Sequence, residues 1–393
     1  MIQSNLPARC LRTVGLFAGI GGIERGLQRH GHKAVLLSEI DVDAQTVLRR
    51  RFPDSMLVGD VRLIRTLPDC DLVSAGFPCQ DLSQCGKTVG IKGRNSSLVG
   101  EVFRLVETAA KPPDWLLLEN VPFMLRLDKG LAMTLIVGEL QRLGYRWAYR
   151  TVDARAFGVP QRRRRVVLLA CRGERNDPKQ ILFADNRIAP PEHCDAAGYG
   201  FYWTEGSSGL GWGSNCVPTL KSGSSFGIPS PPAVWIPDER KIVTINICDA
   251  ERLQGFPANW TKPAIPKNGR DGPRWRLVGN AVCVPMAAWI GNRLAKPGTC
   301  RLDIGESISN KGPWPPAACG DETGIREVKA SAWPLLRPNR PILDFLRYPV
   351  KLLSIRATTG FLSRARKSRL RFREGFLEDV AHHLTSVSQE VLA

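Results

Sequence analysis

Thr13-Val14-Gly15-Leu16-Phe17-Ala18-Gly19-Ile20-Gly21-Gly22 is an apolar run that passes directly into a glycine-spaced turn. The run predicts a strand over 13–17, the glycines a tight turn, and the apolar spacing of 23–30 a helix. Further apolar runs at 34–38, 56–61, 72–75, 114–118, 145–152 and 166–170 read as strands. Helices are predicted over 42–51, 96–110 and 131–143, so strands and helices alternate and an α/β fold is expected. Such folds bind ligands at the carboxyl ends of their strands.

The turn lacks one feature of a dinucleotide site. Where the full fingerprint has a third glycine, this chain has Glu24, and a carboxylate there serves a pyrophosphate poorly. A cofactor with no phosphates and a sulfonium cation, S-adenosyl-L-methionine, does not meet that conflict. Glu39 lies about 20 residues past the glycines, the spacing at which an acid bonds ribose hydroxyls. The alternative is an acid at the start of the 42–51 helix, which suits Asp41 or Asp43 as well. Asp60 closes the third strand, either as an acceptor for an adenine amino group or as a turn former.

Three further stretches carry candidate chemistry. Gly76-Phe77-Pro78-Cys79-Gln80 follows the 72–75 strand, which puts Cys79 in a post-strand loop stiffened by Pro78. Its thiolate is a candidate nucleophile; the plain alternative is a small buried hydrophobe. Residues 81–95 are polar and without period, and read as a long loop, with Asn95 or Ser96 capping the next helix. The 114–118 strand ends in Glu119-Asn120-Val121-Pro122, a carboxylate at a strand's carboxyl edge or a solvated strand end. Arg162 to Arg165 are four successive arginines at a strand entry, so they alternate sides and one pair can face a site. The run does not decide which pair.

The chain has 393 residues, 43% of them hydrophobic, with no stretch near the roughly 18 apolar residues of a bilayer span. Met1 to Arg12 lacks the apolar region of a secretory signal, which predicts a cytoplasmic, nucleoid-associated protein. Eleven cysteines without any Cys-x-x-Cys pair support neither a disulfide framework nor a zinc site. The net charge of +18 favours a polyanionic partner.

Composition also marks boundaries. From Arg172 to about Lys241 the chain turns rich in Gly, Ser and Pro with scattered Trp, and reads as a separate small domain. Trp203, Trp212, Phe226 and Trp235 are expected to form its miniature core, base stacking being the alternative. A helix over 247–253, capped by Asn246 with Asp249 at its third position, and an apolar helix over 285–294 follow. The expected domains are therefore 1–171, 172–243, a return segment 244–296, and a basic extension 297–393. In the extension, Arg364, Arg366, Lys367, Arg369, Arg371 and Arg373 form either a solvated helical face or a phosphate contact.

Taken together, these landmarks resemble the cytosine-C5 DNA methyltransferase family, as found in type II restriction-modification systems, in motif order from Thr13 to about Leu294. The matching elements are Phe17 to Gly22, Glu39, Asp60, Pro78-Cys79-Gln80, Glu119-Asn120-Val121, Gln161-x-Arg163-x-Arg165, Glu251 to Pro257 and Gly279-Asn280-Ala281-Val282; Thr219-Leu220 also looks like an element of that family's target-recognition domain. Departures are Asp81-Leu82-Ser83, Cys85 and the long tail. The resemblance implies a Rossmann-like methyltransferase domain with a small loop-rich target-recognition domain, acting as a monomer on double-stranded DNA. It implies Cys79 as nucleophile at carbon 6 of a flipped cytosine, Glu119 at ring N3 and the exocyclic amine, and Arg163 and Arg165 near the O2 edge. Cofactor contacts are implied at Phe17, Ala18, Gly19, Ile20, Gly21, Gly22, Glu39, Ile40, Asp60, Val61, Pro78, Leu98, Asn280 and Ala281. DNA contacts are implied at Gln161, Thr219, Leu220 and Gln254, with a cognate restriction endonuclease as partner. An RNA cytosine methyltransferase shares the cysteine and glutamate, but the insert with Thr219-Leu220 favours duplex DNA. A non-catalytic DNA-binding protein has no need of Cys79 and Glu119 together, and Glu24 with the cysteine loop disfavours a nicotinamide oxidoreductase.

Overall fold

The computed structural model describes residues 10–78, 98–174, 176–192, 195–223, 229–264, 271–309 and 313–392. The chain forms two compact units. One comprises Met1–Ala156, Arg164–Ala189 and Val282–Leu336, the other Phe157–Arg163, Pro190–Ala281 and Arg337–Ala393.

The first unit is organised on a ten-stranded sheet. Its strands are β1 (Arg12–Leu16), β2 (Lys33–Ser38), β3 (Met56–Val58), β4 (Leu72–Ala75), β5 (Trp115–Asn120), β6 (Arg146–Asp153), β7 (Arg164–Cys171), β8 (Ile304–Ser307), β9 (Ala317–Asp321) and β10 (Gly324–Val328). They lie in the order β8-β10-β9-β6-β7-β5-β4-β1-β2-β3. β1 to β5 pair in parallel, and β7 runs antiparallel to both β5 and β6. Every residue of β4 and β5 is buried, as expected of strands covered on both faces.

Helices α1 (Gly22–Gln28), α2 (Val42–Arg51), α3 (Leu98–Glu107), α4 (Leu131–Arg142) and α5 (Val284–Ala295) belong to this unit. Val102 and Leu105 of α3 with Ile136 and Leu140 of α4 share one core with Val73, Leu116 and Leu168 of the sheet. α1 and α5 pack at close range, because a Cβ on Gly26 would strike Ala287 and the Ala288 backbone. The first strand stops at Leu16, one residue short of expectation. Phe17 takes φ 55°, a left-handed turn that ends the extended run.

The stretch expected as one extension after residue 296 is divided between the two units. Its first half builds β8, β9 and β10, and β9 pairs with β6 from Ala317↔Arg150 to Gly320↔Trp147. Trp314 is buried there with its ring edge-on to Trp147 and Tyr149, and its Nε1 donates to Gly130 O at 3.0 Å. The sequence reading placed Trp314 only within a basic extension; it is a core residue.

In the second unit an antiparallel sheet carries Gly213–Ser214, Tyr199–Phe201, Ala233–Ile236, Lys241–Thr244 and Lys351–Leu352 in that order. The aromatic core expected of 172–243 is present, with Trp235 buried and Trp203 and Trp212 packed on it, while Phe226 lies outside the described residues. That core is completed by Phe361 of helix Ile355–Lys367 and by Phe376, the first residue of helix Phe376–Leu392. Asn246 caps the Ile247–Leu253 helix by accepting from Cys248 N, as expected. Asp249 does not complete a capping box: its carboxylate is buried, pairs with Arg252 and accepts from the Arg347 and Tyr348 amides.

Candidate active site

The glycine turn follows β1. Ala18 N donates to Ser38 O and Gly21 N to Ala18 O, which folds 18–21 back over the sheet edge. Gly19 adopts φ 56° and a Cβ built there would meet nothing within 4 Å, so the backbone faces open space. Gly21 and Gly22 are required for the opposite reason, since a side chain on them would collide with Phe52 and with Val282 O. Ile20 is buried beneath the turn. Glu39 ties the turn to the end of β2: Oε2 accepts from Gly19 N at 2.7 Å and Oε1 from Asp41 N at 2.8 Å. Beside it, Ile40 is 66% exposed, an apolar side chain held in solvent at a strand's carboxyl end.

An open left-handed glycine, an exposed apolar residue and nearby carboxylates make a cradle suited to an adenosyl group without phosphates. Glu24 strengthens that reading. Its carboxyl is buried directly under Gly15, where any side chain would strike it, and it accepts from Ser74 Oγ at 3.2 Å. Burial pushes it up to about 7, and the charge on Glu39 adds to the rise. Asp60, implied as an adenine acceptor, also serves the local turn. It caps the turn 61–63 by accepting from Arg62 N, and its carboxylate pairs with the Arg62 guanidinium, which holds it below the usual range. Val61 is buried under this turn, and Leu98 opens α3 half-buried against the core.

Of the catalytic candidates, Glu119 and Arg165 meet at the ends of β4 and β5. Parallel register sets Ala75 opposite Leu118, so Gly76 and Glu119 leave the sheet at the same level. Glu119 is buried, and its Oε2 is 3.7 Å from where a Cβ on Gly76 would lie. β7 runs antiparallel alongside, with Asn120 opposite Val166, which delivers Arg165 to the same edge. Arg165 Nε is 3.0 Å from Glu119 Oε1, with 12% of the arginine side chain exposed. The N–H is not aligned along that contact, so among the described residues Oε1 has no hydrogen-bond donor. Asn120 Nδ2 donates to Phe77 O at 3.0 Å while its Oδ1 accepts from Val121 N at 2.8 Å. That clamp fixes the Gly76-Phe77-Pro78 segment, whose next residue is Cys79. Cys79 itself, with the 81–95 loop and its capping residues, lies outside the described residues.

The arginine run alternates: Arg162 and Arg164 are exposed, Arg163 is buried and Arg165 nearly so. The inward pair does not share one task. Arg163 belongs to the second unit, where it donates to Leu220 O at 3.2 Å, Ala281 O at 2.7 Å and, at longer range, Gly279 O. It ties residue 220 to the 279–281 stretch of that unit. Backbone contact is that close because a Cβ on Gly279 would strike the Lys221 peptide. Of the implied cofactor residues in this unit, Asn280 is exposed and Ala281 buried.

The residues implied as DNA contacts all lie in the second unit. Gln161 and Gln254 are fully buried and bonded to each other. Gln161 Nε2 also donates to Leu253 O and its Oε1 accepts from Leu220 N, while Gln254 Nε2 donates to Val278 O. Leu220 is buried and the Thr219 hydroxyl donates to Arg162 O at 2.7 Å. These side chains hold the backbone of a segment with little regular structure. Ser74 is a residue sequence reasoning passed over, while Asn120 entered only as part of its motif and Glu24 only as a departure from the dinucleotide fingerprint. Asn120 carried a readable sign, a polar residue closing a strand that is otherwise apolar beside Glu119.

A family model described as C-5 cytosine-specific DNA methylase matches residues 11–194. The chain is 49% identical over 365 residues to Type II methyltransferase M2.BsuMI of Bacillus subtilis (strain 168), covering 90% of this chain and 93% of that protein. Type II methyltransferase M.NlaX of Neisseria lactamica is 30% identical over 313 residues, covering 72% and 96%. About a tenth of the chain lies outside the first alignment and about a quarter lies in 297–393, so most of that stretch is shared with M2.BsuMI. In fold, the chain is similar to the S. pombe Dnmt2 methyltransferase, with a TM-score of 0.51 at 16% identity over 71% of this chain and 96% of that one. Among the described residues, no helix is long and apolar enough to cross a membrane.

Proposed function

The chain belongs to the C-5 cytosine-specific DNA methylase family and is a DNA (cytosine-5-)-methyltransferase; from that premise we propose how its residues divide the work. Carbon 5 of cytosine is too weak a nucleophile to attack a methyl sulfonium unaided. The Cys79 thiolate adds to carbon 6, which breaks the 5,6 double bond and pushes electron density toward carbon 5 and the N3–O2 edge. Glu119 meets ring N3 and the exocyclic amine and shares a proton there. Arg165, paired with Glu119 at 3.0 Å, stands beside it to stabilise charge developing on the ring. S-adenosyl-L-methionine supplies the electrophilic methyl when bound, and the turn Phe17 to Gly22 with Glu39 and Ile40 is where it is held. After carbon 5 has taken the methyl, loss of its proton and departure of the Cys79 sulfur restore the double bond.

The observation that carries this reading is the shared exit of β4 and β5, where Asn120 fastens the segment leading to Cys79 beside the buried Glu119. A stacked base cannot present carbon 6 to a thiolate, so the target cytosine is swung out of duplex DNA at about a few kcal/mol. The second unit, which holds residues 190–243 of the expected target-recognition segment 172–243, selects the site, and a cognate restriction endonuclease is the partner that makes the mark protective.

The test is transfer of labelled methyl from S-adenosyl-L-methionine to duplex DNA and, separately, to tRNA. Label is expected in DNA, and a duplex containing 5-fluorocytosine should be trapped covalently. Cys79→Ser should abolish both while still binding the methyl donor. Turnover by that variant would refute the nucleophile assignment, and label in tRNA alone would refute the DNA reading.

A further inference from the structure

Between Ile355 and Arg373 the sequence has seven Lys or Arg and no Asp or Glu. The two arginines that bracket the densest part are structural. Arg364 donates from Nε to Glu205 O at 3.1 Å and from Nη2 to Trp203 O at 2.7 Å. Arg373 pairs with Asp195 at 2.8 Å and lies over the Tyr199 ring at 4.9 Å. Between these anchors Arg366, Lys367, Arg369 and Arg371 are all exposed.

We propose that Arg366, Lys367, Arg369 and Arg371 form a phosphate-binding ledge that grips the DNA backbone next to the segment containing Thr219 and Leu220. The ordinary account of basic residues in a helix's last turn is the macrodipole, and it covers Arg366 and Lys367. It does not cover Arg369 and Arg371, which follow the helix end at Lys367. A solvated flexible tail is excluded by the anchors: both ends of the run are fastened to the 195–205 segment, and Leu362, Ala365 and Phe376 on either side are buried. The unit therefore holds four cations close together against their mutual repulsion, and Glu374 is the nearest carboxylate along the chain. A polyanion relieves that repulsion, and its phosphates repeat along an extended track. The anchor also runs to the recognition segment. Glu205, whose carbonyl accepts from Arg364, pairs through its carboxylate with Lys221, two residues beyond Thr219.

The inference rests on DNA being the substrate. The experiment measures binding of the full chain to a labelled duplex as a function of salt, for the wild type and for the combined variant Arg366→Gln, Lys367→Gln, Arg369→Gln, Arg371→Gln. Each lost phosphate contact removes about 0.9 from the slope of log affinity against log salt. The slope should therefore flatten by about 3 to 4, affinity at about 0.1 M salt should fall at least about tenfold, and the cytosine found by bisulfite sequencing should stay the same. The pair Arg369→Gln, Arg371→Gln, beyond the helix, should flatten it by about 2 and serves if the fourfold variant melts early. A slope within about half a unit of wild type in both variants overturns the ledge. If the wild type transfers no label to DNA the substrate reading fails instead, so the two failures are distinguishable.

Discussion

Replacing Glu24 by glutamine tests the floor of the cofactor turn through its titration. The carboxyl lies under Gly15, accepts from Ser74 Oγ and has an Oε2 with no hydrogen-bond partner among the described residues. Burial raises its pKa from 4.5 to about 7, with a further push from Glu39, while hydrogen bonds from Ser74 and its own backbone act the other way. In the unfolded chain the proton leaves near 4.5, so between there and about 7 the folded state binds more protons. Stability contributed by the protonated carboxyl is thus fully present below 4.5 and is lost as pH rises through about 7. At about 1.4 kcal/mol for each tenfold change in proton affinity, the loss is on the order of 3 kcal/mol at most.

Glutamine keeps the shape and cannot ionise. Urea unfolding of wild type and Glu24→Gln should therefore give similar midpoints near pH 5, with the variant gaining about 2–3 kcal/mol relative to wild type by pH 8.5. Only the difference between the two proteins is read, so other groups shifted by burial, such as His32 and His383, cancel. A difference constant to within about 0.5 kcal/mol from pH 5 to 8.5 would refute the buried-proton argument. A cationic methyl donor seated over the turn favours ionised Glu24, so donor affinity should rise from pH 6 to 8 in wild type and stay flat in the variant.

Trp314→Ala should cost about 4–5 kcal/mol, mainly from the lost ring packing, with the Gly130 carbonyl keeping only the Thr134 hydroxyl of its two side-chain donors, whereas Trp314→Phe should cost about 1–2. Chemical denaturation measures both, and a cost under about 1 kcal/mol for the alanine variant would return 313–328 to the status of an appendage. Asn120→Ala should lower kcat at least about tenfold with donor binding unchanged, because it frees the Phe77 carbonyl that aims the Cys79 loop; an unchanged kcat would remove Asn120 from the positioning machinery. Arg163→Lys and Arg165→Lys should separate. The first is expected to show as lost stability of about 1–3 kcal/mol, since a lysine cannot reach several carbonyls at once, and the second as lost turnover with stability within about 1 kcal/mol of wild type. Equal effects on turnover with no effect of either on stability would contradict the division of the two arginines.

The legible part of the fold was the part that apolar periodicity controls. β4 and β5 are unbroken apolar runs because both faces are covered, and α3 carries its buried stripe at the expected spacing. Trp314 and the β8 to β10 strands were not legible, since β8 is a mostly exposed four-residue edge strand and β9 contains Gly320 in contact with the Trp147 ring. Nothing in such short segments states which strand they join; the pairing with β6 comes from the edge that β6 would otherwise leave open. Likewise the helices of 355–392 look like an amphipathic tail until the aromatic core they cover, built on Tyr199, Phe201 and Trp235, is in place.

The candidate site was legible by position and less so by role, for a physical reason. Gln161, Arg163, Glu251 and Gln254 all sit in family motifs, and in the structure their side chains bond to other parts of the same unit. Glu251 accepts from the Trp260 and Thr261 amides and pairs with Arg274; Gln161, Arg163 and Gln254 donate to five carbonyls among residues 220–281. Leu253 ends the helix Ile247–Leu253, and Val278 and Gly279 lie in the last turn of Gly272–Asn280, where final C=O groups lack intrahelical partners and must find side chains instead. Leaving one unmatched costs about 1–3 kcal/mol, which is as strong a demand on residue type as contact with a ligand. A motif read as a string therefore mixes residues held at a strand's edge with residues that hold the backbone of their own unit. Burial and the identity of the hydrogen-bond partner separate the two classes: Glu119 keeps an acceptor position beside Arg165 at the edge where the Cys79 loop begins, and Gln161 keeps none.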